Sequence, residues 1–401
     1  MCPETRAMIQ AFYSRSTMSI ADRLATLGDT EEKMKKALHS YYVGYGHESI
    51  GELGTITVFF EGISMLAAKA IQDDPLYRGQ ESSTRYIDFA KQPAVVPVDA
   101  NNGSYMLELQ EKCRAFYVKA LPLLIERIKK EKPYSGEVSE AIYNKTVTAR
   151  AFDILRGFLP AGMTTNVAWT GDFRVIGRQL RRLMAHPLYE VRQIAHQTYE
   201  KLLVDYPNSF RVLRDSDKVS NEEFYSFEDV SQEEFITFIN DHNLEDFNAK
   251  YYKFVDIVAD HTIDFGSYRD LQRHRNCKWL MPLLTTKLGF HPFYLENLPE
   301  SLIDEAVDLV AGIQNKFLES EENWQYAVPM GFKVNIMMKF DVNQAIYLAK
   351  LRSSVTVHPT LRVWAQELGR FLQNEFAIDA EVDYSEDNWT LKRGVQDIVK
   401  K

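Results

Sequence analysis

The sequence predicts a mixed α/β (α+β) protein, helix in the majority, assembled from two diverged copies of one module. Three observations carry that expectation. The chain repeats itself: LPAGMTTNVAWTGDFRVIGRQLRRLMAHPLYEV begins at Leu159, and VPMGFKVNIMMKFDVNQAIYLAKLRSSVTVHPTLRV begins at Val328. Several segments space apolar residues at about 3.6, the helical period. One run is β-branched and aromatic, as strands are.

The repeat is specific in its residues. At a constant offset of 169, Pro160 meets Pro329, Gly162 meets Gly331, Asn166 meets Asn335 and Asp172 meets Asp341. Three extra residues then enter the second copy, after which His186-Pro187 meets His358-Pro359 and Val191 meets Val363. The joint is expected near Asp205–Glu234, where DSDKVSNEEFYSFEDVSQEE is polar and acidic. The modules are therefore expected at 1–220 and 221–401.

In chain order, Ile20–Tyr42 reads as a helix, Ile56–Ile63 as a strand and Tyr105–Lys130 as a helix. Val191–Leu203 and Leu361–Phe376 are further helices. Ser301–Leu318 is amphipathic, with Leu302, Ala306, Leu309, Ile313 and Phe317 on one side.

Composition excludes several classes. The 401 residues are 45% hydrophobic and 12% aromatic, which is too apolar for a disordered chain. The net charge of −9 argues against a nucleic-acid coat but allows a few arginines to line a cleft for a small anion. Cys2, Cys113 and Cys277 are odd in number and widely spaced, so neither a disulfide framework nor a metal site is expected. Met1–Ser19 lacks the basic start and apolar block of a secretory signal, and no stretch approaches a membrane span. The expected location is cytoplasmic. No HExxH, Walker loop or GxGxxG is present.

Cations and hydroxyls supply the candidate chemistry. In GQESSTRY, Gln80 and Glu81 precede the hydroxyls of Ser82, Ser83 and Thr84, then Arg85 and Tyr86. Hydroxyls beside a guanidinium suit a phosphate or ribose; a polar turn after a strand has the same composition. Arg273-His274-Arg275 packs two cations about an imidazole, tolerable opposite a pyrophosphate or on a solvated helix face. Arg156, Arg182 and Arg352 lie beside leucines on helical segments, where a surface arginine with a snorkelling stem is the alternative. His47 and Ser49 lie in GHES ahead of the strand, where a capping histidine is common. Cys277, close behind the arginine cluster, leaves a reactive thiol open.

The order of these pieces resembles the flavin-dependent thymidylate synthases. The stretch GHESIGELGTITVFFEGISMLAAKAIQDDPLYRGQESSTRYIDF is similar to that family's signature region, in which Gly-His-Glu precedes a strand, a helix, Arg-His-Arg and then a Ser/Asn-Glu-x-Ser-x-Arg-Tyr run. Arg156–Pro160, Trp169–Arg174 and Leu180–Arg192 resemble its downstream segments. The likeness covers most of residues 40–205. The first copy departs where Asp73-Asp74-Pro75 replaces Arg-His-Arg. The second keeps Arg273-His274-Arg275 and Arg352, but has Asn276–Met281 in place of the nucleotide run, lacks Gly-His-Glu, and puts Gln325 where the first has Arg156.

The resemblance implies two tandem modules, each a mainly antiparallel sheet flanked by helices. It implies FAD as cofactor, with dUMP, methylenetetrahydrofolate and NADPH as substrates and dTMP as product. Gln80, Glu81, Ser83, Arg85, Tyr86 and Arg156 would hold the nucleotide. His47, Ser49, Arg273, His274 and Arg275 would face FAD, and Arg352 or Arg182 would stabilise charge on the uracil ring. A composite site would pool the two copies' surviving groups, and a homodimer would form a pseudo-tetramer. No nucleic-acid or membrane partner is expected. A diverged pyrimidine-nucleotide enzyme such as a hydroxymethylase, or an inactive nucleotide-binding homologue, fits the same likeness.

Overall fold

Helices α1 (Pro3–Tyr13), α2 (Ile20–Thr26) and α3 (Glu48–Gly51) precede strand β1 (Thr55–Ser64). Then come α4 (Met65–Gln72), β2 (Arg78–Glu81), α5 (Gly103–Glu131), α6 (Glu140–Leu155), a 3-10 turn at Arg156–Phe158, β3 (Thr164–Asp172), α7 (Phe173–Leu183) and α8 (Tyr189–Asp205). After β4 (Glu234–Phe238) follow β5 (Asp256–Asp264), α9 (Phe265–Leu271), β6 (Lys278–Leu280), α10 (Pro292–Glu296) and α11 (Glu300–Gln314). A 3-10 turn at Glu322–Ala327, β7 (Lys333–Asp341), α12 (Val342–Ser353), α13 (Pro359–Phe376) and α14 (Lys392–Gln396) complete the chain. The computed structural model describes residues 2–14, 16–26, 36–40, 48–100, 102–210, 233–238, 252–280, 282–315, 322–386 and 389–396.

Among these elements one succession occurs twice. Strand, helix, strand, two helices, 3-10 turn, strand and two helices run from β1 to α8, and again from β5 to α13. The repeated aspartates have a local cause. Asp172 accepts a hydrogen bond from the Val175 backbone N–H at 2.8 Å, and Asp341 accepts from that of Gln344 at 2.8 Å. Each is the N-cap of the helix after its strand, where a carboxylate satisfies an orphan donor.

The chain forms two compact units. The first comprises Met1–Gly62, Ala70–Glu81 and Asn166–Phe224, and the second Ile63–Lys69, Ser82–Thr165 and Tyr225–Lys401. The first contains most of a three-stranded sheet ordered β1-β3-β2, in which β2 runs antiparallel to β3 with Arg78 opposite Thr170. Trp169 is buried on it and stacks on Phe60 at 6.4 Å.

The second unit contains an antiparallel sheet ordered β4-β5-β7-β6. Ile257, Ala259, His261 and Ile263 alternate inward along β5, as do Val334, Ile336, Met338 and Phe340 along β7. In the same unit the two repeated Pro-x-Gly segments lie against each other. Pro160 bridges Pro329 in antiparallel sense, with Ala161 donating to Val328 O and Met330 to Leu159 O, both at 2.9 Å. Equivalent residues thus meet about a local two-fold relation.

The expected strand at Ile56–Ile63 and the helix at Tyr105–Lys130 lie within β1 and α5, and the two late helices within α8 and α13. The Ile20–Tyr42 helix is helical over Ile20–Thr26, and its remainder falls partly outside the described residues. Leu318 and most of the acidic stretch after Asp205 also lie outside them. No helix among the described residues is long and apolar enough to cross a membrane.

Candidate functional site

Three buried aspartates organise the cations of the second unit. Asp264 ends β5 and caps α9, accepting from the Ser267 N–H at 2.8 Å. That cap sets the direction of a short helix whose last turn delivers Asp270 and leads directly to Arg273-His274-Arg275. Arg156, in the 3-10 turn after α6, enters this place with 1% of its surface exposed. Its Nη1 donates to Asp270 Oδ2 and its Nη2 to Ser267 Oγ, both at 3.1 Å. Tyr294 donates its hydroxyl to Asp264 at 2.8 Å. Gly157 permits this, because a Cβ there would stand 2.4 Å from the Tyr294 ring.

Asp270 is the common partner. Arg273 approaches it at 3.5 Å, and Arg352, in the last turn of α12, donates from Nη2 to its backbone oxygen at 2.7 Å. Burial alone would raise its carboxyl. Arg273, Arg156, Arg85 and Arg352 overcome that and hold it below the usual carboxylate range.

Arg352 also donates from Nε to Nε2 of His274 at 2.8 Å. That bond needs a lone pair on Nε2, so the ring is neutral with its proton on Nδ1, a tautomer assigned from its partner. Burial, reinforced by the Arg352 cation, pushes the His274 pKa down to about 3.

Asp153, wholly buried in α6, holds the second half of the network. Arg85 donates from Nε to its Oδ1 at 2.7 Å, and from Nη2 to the backbone oxygen of Thr356 at 2.7 Å. Arg393 donates to its Oδ2. Burial works against the charge, but Arg393 and Arg85 hold the carboxyl well below its ordinary value. His358 lies 3.0 Å from the Asp153 backbone oxygen through Nε2 and 2.9 Å from Thr360 Oγ1 through Nδ1. The carbonyl can only accept, so Nε2 carries the proton. Thr360 Oγ1 is 2.6 Å from Ser267 Oγ, which joins the Arg156 and Asp153 sides. Burial pushes His358 down to about 3.

Arg85, Arg156, Arg273, Arg352 and Arg393 therefore face Asp153, Asp264 and Asp270, with both histidines neutral. Two positive charges remain in excess. In a partly desolvated place such an excess favours an anion, and phosphate or pyrophosphate matches guanidinium forks. Arg273 and Arg275 are exposed, so the cluster opens toward solvent at that end.

The structure thus brings Arg85, Arg156, Arg273, His274 and Arg352 into one network, with Ser83 receiving the Arg85 N–H at 3.3 Å and Tyr86 acting electrostatically on Arg393. Gln80, Glu81, Ser49 and Arg182 belong to the first unit. Gln80 and Ser49 are exposed, while Glu81 accepts from Gln72 at 3.0 Å. Arg182 donates to the Asp73 backbone oxygen at 2.8 Å and to its carboxylate at 2.9 Å. Arg178 pairs with Asp74 at 2.8 Å. The aspartates that replace Arg-His-Arg in the first copy thus neutralise that copy's own arginines. His47 lies outside the described residues. Cys277 is buried and its thiol is pushed up to about 12 by burial, so it is held protonated.

Sequence reading missed Asp153, Asp264, Asp270, His358 and Arg393. Asp153 in AFDIL carried a signal, since a carboxylate in an apolar helical run needs a buried partner. Arg393 carried none.

Residues 3–208 match the family described as thymidylate synthase complementing protein. A UPF0159 protein of Chlamydia muridarum is 25% identical over 461 aligned positions, covering 90% of this chain and 84% of that one. A UPF0159 protein of Thermoplasma acidophilum is 23% identical, covering 80% of this chain and 82% of that one. Among solved structures, a flavin-dependent thymidylate synthase, ThyX, of Helicobacter pylori complexed with FAD and dUMP is similar at 15% identity and a TM-score of 0.32. The match covers 52% of this chain and 96% of that one.

Proposed function

The chain belongs to the thymidylate synthase complementing protein family, and on that premise we propose that it is an FAD-dependent methyltransferase converting dUMP to dTMP with methylenetetrahydrofolate and NADPH. The observation that carries the reading is the cationic excess around Asp270, where Arg85, Arg273 and Arg352 all act on one carboxylate. The donor set fits an anionic nucleotide and a cofactor pyrophosphate. FAD, when bound, supplies the reducing equivalents that complete the methyl group.

Each residue has a defined task in this reading. Arg85, with Ser83 and Tyr86 beside it, binds the dUMP phosphate or ribose. Arg156 holds Asp270 and, through it, the orientation of Arg273 and Arg352. Arg273 and Arg275 hold the FAD pyrophosphate, with His274 between them. Arg352 is the activating cation, fixed by His274 and the Asp270 carbonyl so that no reorganisation is needed as charge develops on the uracil ring. A preorganised donor of this kind is worth about 3 kcal/mol. Arg182 is assigned no such role, because Asp73 neutralises it.

Gln80, Glu81, His47 and Ser49 are proposed as further ligand contacts on the resemblance alone. The chain is proposed to be a tandem duplication with modules 1–220 and 221–401. The repeated succession of elements and the Pro160–Pro329 bridge support this. A homodimer then supplies a pseudo-tetramer.

The test is release of the C5 hydrogen from labelled dUMP with FAD, NADPH and methylenetetrahydrofolate present. Release is expected, and Arg352→Ala should reduce it about a hundredfold. Retained hydrogen in a protein that binds FAD and dUMP overturns the reaction. One observation favours a second reading, a diverged pyrimidine-nucleotide enzyme such as a hydroxymethylase. Both Nη groups of Arg156 are committed to Asp270 and Ser267, leaving them less available to a ligand than the resemblance implies. Mass spectrometry of the product separates methyl from hydroxymethyl.

A further inference from the structure

Helix α6 carries Thr146 and Asp153 seven residues apart, about two helical turns, so both leave one face of the helix. The terminal helix α14 meets that same face. The Gly394 N–H donates to Thr146 Oγ1 at 3.1 Å. The approach is so close that a Cβ on Gly394 would come within 2.2 Å of the Ile142 backbone oxygen and 2.5 Å of Thr146 Oγ1. Only glycine fits without lifting α14 off α6.

That fit carries the preceding residue inward. Arg393 is 2% exposed, and its Nη1 donates to Asp153 Oδ2. Asp153 meets Arg85 with both oxygens, at 2.7 Å from Nε and 3.4 Å from Nη2. The better Nη2 bond goes instead to Thr356 O at 2.7 Å. Arg85 can divide itself this way because Arg393 already serves Oδ2. Without Arg393 the buried carboxylate has Arg85 as its nearest cation. Arg85 must then turn Nη2 fully onto Oδ2 and abandon Thr356, because an unmatched buried charge is the costlier outcome.

We propose that Arg393 is a positioning residue for nucleotide binding: it anchors Asp153 so that Arg85 stays turned toward the ligand, and the C-terminal segment thereby completes the site. The inference rests on the reading of Arg85 as a nucleotide contact. Arg393 itself touches no ligand. It acts through Asp153.

The experiment is calorimetric titration of dUMP into the full-length, FAD-loaded protein. Wild type is compared with Arg85→Ala, Arg393→Ala, Arg393→Gln and Arg393→Lys, each checked for FAD content and melting temperature. Arg393→Ala should weaken dUMP binding about tenfold or more, the scale of losing one charge-assisted hydrogen bond. Arg393→Lys should recover most of it, because an ammonium can still meet Oδ2. Arg393→Gln keeps a donor without the charge and should fall between. If the alanine variant does not fold, the order lysine tighter than glutamine carries the test. Wild-type affinity in Arg393→Ala or Arg393→Gln, with Arg85→Ala impaired, overturns the positioning role alone. A folded Arg393→Lys that recovers nothing does so too. Wild-type affinity in Arg85→Ala overturns the nucleotide reading, and the positioning role falls with it.

Discussion

Arg352 reaches His274 through a bond from Nε to Nε2 at 2.8 Å, so the cation that ends α12 is steered by a neutral imidazole in the loop after α9. Neutrality is essential to that arrangement. A protonated ring would present N–H to guanidinium, and donor would face donor.

Acid should therefore weaken the fold before it titrates the carboxylates. His274 and His358 have folded-state pKa values of about 3, against roughly 6.5 for a free imidazole. Their folded values are depressed, so their stabilisation is complete above about pH 6.5 and is lost as pH falls toward 3. Each contributes a slope of about 1.4 kcal/mol per pH unit where only the unfolded chain binds its proton. Urea unfolding between pH 7.5 and 4.5 should show a falling midpoint. A His274→Gln, His358→Gln variant should show a shallower dependence. Equal slopes in the two proteins contradict the assignment.

Asp270→Asn should be among the most destabilising single-atom changes in the chain. It leaves Arg156 buried, with Asp264 at 3.8 Å as its remaining carboxylate. Breaking one side of such a pair costs about 3–5 kcal/mol. The control is Asp256→Asn, whose partner Lys339 is 41% exposed; an open pair of this kind is worth about 0–1 kcal/mol. Denaturant midpoints of the two variants check the contrast, and similar losses contradict it.

Much of this was legible in the sequence, for identifiable reasons. The offset of 169 found the repeat because Pro160 and Gly162 are needed at a close crossing and Asp172 is needed as an N-cap, so substitution there is costly. Arg85, Arg273 and Arg352 were visible because cations cluster conspicuously. Their counter-ions were not. Asp153, Asp264 and Asp270 act through tertiary contacts at sequence separations of 68 to 240, which no local pattern encodes. The inert state of Arg182 was hidden likewise, because its partner Asp73 is 109 residues away. Periodicity found β1 and α5, whose burial follows one face, but it gave no hint of the terminal helix α14, only five residues long.

Arg85 and Asp270 lie in one unit of one chain. Co-assembling Arg85→Ala with Arg273→Ala protein should consequently restore no activity, because every site in the mixture keeps one defect. Recovery of about a quarter or more of wild-type turnover in the mixed assembly means that the two residues meet across subunits.

The most direct measurement is titration of dUMP into the flavin-loaded protein while the flavin absorbance band is followed. Wild type should bind FAD and shift the band as dUMP enters. Arg85→Ala should keep FAD and lose the shift, Arg273→Ala should lose FAD, and Arg182→Ala should change neither. An unaltered shift in Arg85→Ala, or its disappearance in Arg182→Ala, contradicts a shared flavin and nucleotide site in the second unit.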